Sequence, residues 1–240
     1  MAEYVYGKNV VKQILQDSSR AKVLYLSSRD KQIEDLASKR GVPVRLVDKK
    51  TIQKLAKGAT NHQGVIAEIA PYQTYSVKEI VNAIPEGKKG LLIMLDELSD
   101  PHNLGAILRT ADAVGADGVI FKKTNAVGLT PTVAKVSVGA IDTVKCASVT
   151  NLSRTCEELK EQGWWIIGAD MDGVDYRSLD YDMNVVLIIG NEGKGMSRLL
   201  EKQCDYIVSL PMVGKISSLN ASVSAGVLMY EIFNKRFPLK

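Results

Sequence analysis

The stretch VLIIGNEGKGMSRLLEKQCDYIVSLPMVGKISSLNASVS, residues 186–224, decides the fold. An apolar run, 185–189, ends in Gly190. A glycine-rich turn follows, with Gly190, Gly193 and Gly195 around Glu192 and Lys194. A second apolar run, 206–210, ends at Pro211. A loop of small residues, 214–218, then leads into Asn220 and a final apolar helix. Two strand ends thus deliver two polar, backbone-exposing loops close together in sequence. An α/β sheet builds a ligand site in this way, outside the carboxyl ends of its strands.

Outward from this stretch, the chain from residue 90 alternates strands and helices. Strands are predicted at 91–95, 118–121, 143–147, 164–169, 185–189 and 206–210. Helices are predicted at 104–114, 133–137, 152–161, 196–202 and 220–233. Alternation implies a parallel sheet covered on both faces, and unbroken apolar strands fit that burial. The N-terminal part reads as a small α/β module. It has a helix over 4–16, a strand at 22–26, a helix over 30–40 stopped by Gly41, a strand at 42–47, a basic helix at 49–57 and a strand at 65–70. Pro71, the polar run 73–76, a weak helix at 77–84 and Pro85–Glu86–Gly87 mark a joint. The expected organisation is a first domain over 1–72, a linker over 73–88 and a second domain over 89–240.

Hydrophobic content of 45% and charge of 24% are ordinary for a globular protein. The N-terminus, MAEYVYGKN, has no apolar signal-peptide core, and no run approaches the ~18 apolar residues of a membrane span. A cytoplasmic protein without membrane contact is expected. With three cysteines without metal spacing and two histidines, no metal site is expected. Charge is uneven. Residues 1–75 carry 13 Lys and Arg against 7 Asp and Glu, and residues 76–240 carry 18 against 20. A basic module on a near-neutral one suits contact with a polyanion, or simply a solvated basic surface.

Three loops, each after a predicted strand, carry the candidate chemistry. In DELSDPHNLGAILR (96–109), Asp100–Pro101 opens a turn and Asn103 is a plausible helix cap. Arg109 would then lie on the second helical turn, toward the same end of the sheet as Asn103. In the second loop, the order G-x-x-G-x-G after a late strand fails the dinucleotide fingerprint, and no G-K-[ST] triplet makes a phosphate loop. Glu192 among glycines suits a ligand with an amine, a cation or a hydroxyl. In the third loop, Ser217, Ser218, Asn220 and Ser222 gather at the entry to the last helix, more polar groups than capping alone needs.

These three loops resemble the three motifs of the SpoU (TrmH) family of RNA 2′-O-ribose methyltransferases. The matching segments are DPHNLGAILRTADAVGADGVIF, IIGNEGKGMS and LPMVGKISSLNASVSAGVLMYE, in the family's order. The first domain is similar to that family's ribosomal-protein-L30-like substrate-binding module, including NHQGV at 61–65. The segment 149–168 is similar to the members that act on 23S rRNA. The resemblance implies a SPOUT fold with a deep C-terminal trefoil knot, a homodimer and S-adenosylmethionine (SAM) as cofactor. It implies a catalytic set of Asn103, Arg109, Glu192, Ser218 and Asn220. Gly190, Glu192, Gly195, Leu210, Met212, Leu219 and Asn220 would bind SAM, and no metal would be needed. Lys8, Asn61, His62 and Gln63, with Arg109, would contact RNA, helped by Lys12, Lys49, Lys50, Lys54 and Lys57 at phosphates. The implied reaction is methylation of the ribose 2′-OH of a guanosine in 23S rRNA. A tRNA-directed enzyme of the same family and a non-catalytic RNA-binding assembly factor are the alternatives.

Overall fold

A computed structural model describes residues 3–17, 20–56, 61–215 and 218–238. The chain divides into two compact units, Met1–Tyr72 and Gln73–Lys240.

The first unit contains β1 (Glu3–Tyr6), α1 (Lys8–Asp17), β2 (Ala21–Leu26), α2 (Lys31–Lys39), β3 (Val44–Leu46), α3 (Lys49–Leu55) and β4 (Val65–Ile69). Its sheet has the order β1-β4-β2-β3, with β4 antiparallel to both neighbours and β2 parallel to β3. Asp30 and Asp48 cap α2 and α3 through bonds accepted from Ile33 N and Thr51 N. Val11, Ile14, Leu15, Leu24, Leu26, Ile33, Ile52 and Ile66 are buried at its core. One expectation is corrected: residues 4–6 are strand, not the start of a helix. Alternating Tyr4–Val5–Tyr6 suits an extended pairing with β4. Gly7, at φ 95, then breaks the strand so that the helix starts at Lys8.

The second unit contains α4 (Val77–Asn82), β5 (Leu91–Leu95), α5 (Pro101–Ala113), β6 (Gly118–Lys122), α6 (Pro131–Ser137), α7 (Ala140–Thr143), β7 (Cys146–Val149), α8 (Leu152–Lys160), β8 (Trp164–Asp175), β9 (Asn184–Ile189), α9 (Arg198–Glu201), β10 (Tyr206–Ser209) and α10 (Ala221–Arg236). The sheet order is β10-β8-β9-β5-β6-β7, and all five pairings are parallel. From β5 the chain builds outward to β6 and β7 on one side. It builds through β9 and β8 to β10 on the other. The order therefore reverses between β5 and β9, and the loops after these two strands meet at the switch point.

Both faces are covered, as the unbroken apolar strands require. Leu92, Met94, Ile120, Ile166, Val186 and Ile188 pack with Cys156 and Leu159 of α8 on one face. Ile80 of α4 is buried in the same cluster, so residues 73–88 pack on the second unit rather than standing apart as a joint. A capping box between Ser76 and Glu79 starts α4. The strand expected at 143–147 begins only at Cys146. Ser137 Oγ accepts Ile141 N at 3.3 Å and favours a helical turn before it. At the far end of the chain, the Arg236 guanidinium donates to the carbonyls of Lys89, Gly90, Tyr181 and Met183, at 2.7 to 3.2 Å. Among the described residues no helix is long and apolar enough to cross a membrane.

Candidate active site

The site grows from the start of α5. Asp100, not Asn103, is the cap: its carboxylate accepts His102 N at 2.8 Å, and Pro101 occupies the first helical position. Asn103 therefore sits inside the first turn, 7% exposed. Its amide joins all three loops. Asn103 Nδ2 donates to Glu192 Oε1, and Asn103 Oδ1 accepts from Asn220 Nδ2 at 3.0 Å. Partners 89 and 117 residues apart are thus held by one buried side chain.

The turn after β9 is fixed by two further residues. Asn191 Oδ1 accepts Gly193 N at 2.9 Å and Lys194 N at 3.2 Å, while Asn191 Nδ2 donates to Glu97 O at 3.0 Å. The Asn191 and Gly195 backbones exchange bonds of 3.0 and 2.9 Å, closing the turn. Buried Asp96 accepts Ser197 N at 2.8 Å, pinning the far side of the turn to the end of β5. Gly190 has no room for a side chain, since a Cβ there would lie 2.5 Å from Gly195 C and Met196 N.

A cavity of about 410 Å³ opens against this turn. Residues 189–195 form one wall. Val208, Leu210, Met212, Ser218, Leu219, Ala221 and Ser224 form another, and Ala169, Asp170 and Met171 a third. Of the expected cofactor set, Gly190, Glu192, Gly195, Leu210, Met212 and Leu219 line the cavity, as does Ser218. Asn220 does not. It caps α10 by accepting Ser222 N and Val223 N, and its amide nitrogen holds Asn103. Ser217 lies outside the described residues.

Arg109 is not part of the lining. Six residues beyond Asn103, it lies about 9 Å further along α5 and about 120° around its axis, so the two do not share a face. Its side chain is exposed, with no ion pair or hydrogen bond to any described residue. Among the described residues no group of three or more His, Cys, Asp or Glu is placed to hold a metal ion.

In the first unit, the other expected cluster comes together by itself. Lys8 N donates to Gln63 Oε1 at 2.9 Å, and Gly7 N donates to Val65 O at 3.0 Å. His62 Nδ1 accepts Gly64 N at 3.0 Å, which places the proton of a neutral imidazole on Nε2 as a donor. The Lys8 ammonium is engaged by Asp30 at 2.8 Å, and this bond holds the Asp30 carboxyl below its usual range. Lys12 donates to Gln32 at 2.6 Å, whereas Lys49, Lys50 and Lys54 are exposed. Asn61 is also exposed, and Lys57 lies outside the described residues.

Sequence reasoning missed Asp96, the clamping role of Asn191, and the wall made by Ala169, Asp170 and Met171. Asp96 carried a signal, an acid directly after an apolar strand. The third wall carried none, because β8 reads as ending at Ala169.

Known proteins share this fold. Residues 90–230 match the model of the SpoU rRNA Methylase family, and residues 4–75 match that for RNA 2′-O ribose methyltransferase substrate binding. YacO of Bacillus subtilis (strain 168), named for the TrmH family of tRNA/rRNA methyltransferases, is 45% identical over 244 residues, covering 99% of this chain and 97% of YacO. The AdoMet-bound rRNA methyltransferase from Sinorhizobium meliloti superposes with a TM-score of 0.67 at 25% identity, covering 100% of this chain and 88% of that one. The SpoU methyltransferase AviRb from Streptomyces viridochromogenes shares the fold, with a TM-score of 0.68 at 23% identity over 98% of this chain and 90% of its own. The chain belongs to the SpoU rRNA methylase family and is an RNA methyltransferase.

Proposed function

We propose that this protein transfers a methyl group from SAM to the ribose 2′-OH of a guanosine in 23S rRNA. The observation that carries this reading is the Asn103 bridge. It draws Glu192 and Asn220 together beside a cavity of about 410 Å³, within the range of nucleotide-sized ligand sites. The lining fits SAM. Ile189, Val208, Leu210 and Leu219 offer apolar contact for its base, while Glu192, Asp170 and Ser218 offer polar groups for its other parts. When bound, SAM supplies a methyl group already activated by its cationic sulfur.

The remaining work is to position and polarise a weakly acidic hydroxyl. Arg109, exposed and without an ion pair or hydrogen bond to any described residue, is the cation assigned to the target ribose and its phosphate, which it meets from outside the cavity that it does not line. A guanidinium stays protonated in proteins, so it acts by electrostatic stabilisation of the developing oxyanion rather than by taking the proton. Asn103, Glu192, Ser218 and Asn220 hold the reacting end of the cavity in register, and alignment of the two reactants contributes much of the acceleration.

Recognition of RNA is assigned to the first unit, through Lys8, Asn61, His62 and Gln63 and the exposed Lys49, Lys50 and Lys54. Its excess of basic residues and its match to a substrate-binding family support this. A homodimer is part of the reading. Val223, Val227 and Tyr230 repeat at helical spacing on α10 and are 50%, 38% and 46% exposed, an apolar stripe that a second copy would cover. The knotted C-terminal path and the cytoplasmic location rest on the family resemblance. The deciding experiment offers tritiated SAM with 23S rRNA or bulk tRNA, then separates the nucleosides. Labelled 2′-O-methylguanosine from 23S rRNA is expected. Label confined to tRNA, or carried on a base, overturns the assignment.

A further inference from the structure

The third wall of the cavity is made by a detour that the fold itself does not need. Ile207 of β10 pairs with Gly168 of β8, but the next residue, Val208, pairs with Val174. Residues 169–173, ADMDG, therefore leave the ladder and return to it. Glycines pin both ends. A Cβ on Gly168 would lie 2.5 Å from Met196 Cε and 2.7 Å from Cys204 Sγ, and one on Gly173 would lie 2.6 Å from the backbone of Ile207 and Val208. Ser209 Oγ also holds Gly173 O at 3.0 Å. The excursion is thus a built feature, pressed flat at its ends and raised between them.

What it raises into the cavity wall is the carboxylate of Asp170. One oxygen, Oδ1, accepts Met171 N at 2.7 Å. The other, Oδ2, lies 3.5 Å from where a Cβ on Gly195 would stand, and no described group of the chain donates to it. Gly195, at φ 67, is a second cavity-lining residue. A free carboxylate oxygen is therefore presented beside the glycine turn, flanked by Met171, a flexible apolar side chain suited to lie on a flat base.

We propose that Asp170 is a cofactor-specificity residue, whose Oδ2 accepts hydrogen bonds from the ribose hydroxyls of the nucleoside in this cavity. A vicinal diol places two neutral O–H donors on one acceptor, the same chemistry by which an acid selects a ribose in dinucleotide folds. This rests on the reading that SAM fills the cavity.

The test is calorimetry on the full-length protein with S-adenosylhomocysteine, its 2′-deoxy and 3′-deoxy analogues, and S-inosylhomocysteine, which lacks the 6-amino group. Asp170→Asn keeps the shape and weakens the acceptor. It should raise the Kd for S-adenosylhomocysteine by about tenfold, and that for either deoxy analogue by only about threefold, because one of the two bonds to Oδ2 is then already missing. S-inosylhomocysteine should suffer as much as S-adenosylhomocysteine. In turnover, KM for SAM should rise while kcat and KM for RNA hold. Equal weakening of every ligand, no weakening, or coupling to the 6-amino group instead would each overturn the assignment. Failure of the unsubstituted protein to bind S-adenosylhomocysteine would overturn the SAM reading, and this proposal with it.

Discussion

Replacing Asn103 tests whether one buried amide organises the site. Its bond to the Glu192 carboxylate belongs to a class that contributes about 1.5–3 kcal/mol, and its bond to Asn220 to one that contributes about 0.5–1.5 kcal/mol. Glu192 is exposed, so the lower end applies, giving about 2 kcal/mol together. Asn103→Ala should then lower kcat/KM by about 30-fold. Asn103→Asp is sharper. It still accepts from Asn220 but sets a carboxylate against Glu192, and about 2 kcal/mol lost from a chain of this size lowers Tm by about 4–8 °C. In Asn103→Asp/Glu192→Gln the donor and acceptor exchange places, and Tm should return most of the way. Thermal melting reads this cycle without depending on any catalytic role of Glu192. A Tm for Asn103→Asp equal to that of the unsubstituted protein, or no recovery in the double variant, would show that the bridge organises nothing.

Three other perturbations follow from the same structure. The Cys146 and Cys156 thiols are fully buried, and burial pushes both up to about 12. The folded chain thus keeps protons that the unfolded chain loses above about pH 8.5. Stability is full below that pH and should fall by about 1.4 kcal/mol per pH unit for each thiol as pH rises; urea melts at pH 8 and pH 10 that coincide would contradict this. Arg236→Ala strips a charged donor from four carbonyls and should destabilise by about 2–4 kcal/mol. Arg236→Lys should recover only part, since an ammonium lacks the planar fork; full recovery in chemical denaturation would show that charge alone suffices. Gly190→Ala forces a methyl against the Gly195 and Met196 backbone, so SAM binding by calorimetry should weaken by more than about 30-fold with the far-UV spectrum unchanged. Binding within threefold of the original would mean that the turn is looser than described.

How legible the molecule was in its sequence depended on burial. The strands at 91–95 and 185–189 could be bounded because a strand covered on both faces must be apolar throughout. Following the ends of the strands at 185–189 and 206–210 was enough to find the two loops that border the cavity, whereas Gly190, Leu210 and Leu219 were singled out within them by the family resemblance. β1 was hidden because Tyr4–Val5–Tyr6 runs straight into a helical period, and only the pairing with β4 decides between them. The start of α5 was misplaced because Asp100–Pro101 serves equally for a turn and for a capped first helical turn. Arg109 could be named, but its direction depends on a helical phase that spacing alone did not settle. Asp170 was out of reach altogether. ADMDGVD is polar and glycine-broken, and its extended shape is imposed by a neighbour more than thirty residues later.

The clasp at Arg236 has a consequence for the order in which the protein comes into being. Every strand of the first sheet lies within residues 3–69, so that sheet can pair early in synthesis. The second unit cannot close in the same way. Its edge strand ends at Ser209, and the side chain that ties off the carbonyls of residues 89 and 90 arrives at position 236. A ribosome that stops before codon 236 would release a chain with its basic first sheet paired and its second unit unlatched. Loss of the message from that codon onward would therefore produce a chain whose second unit is more open to proteolysis than its first.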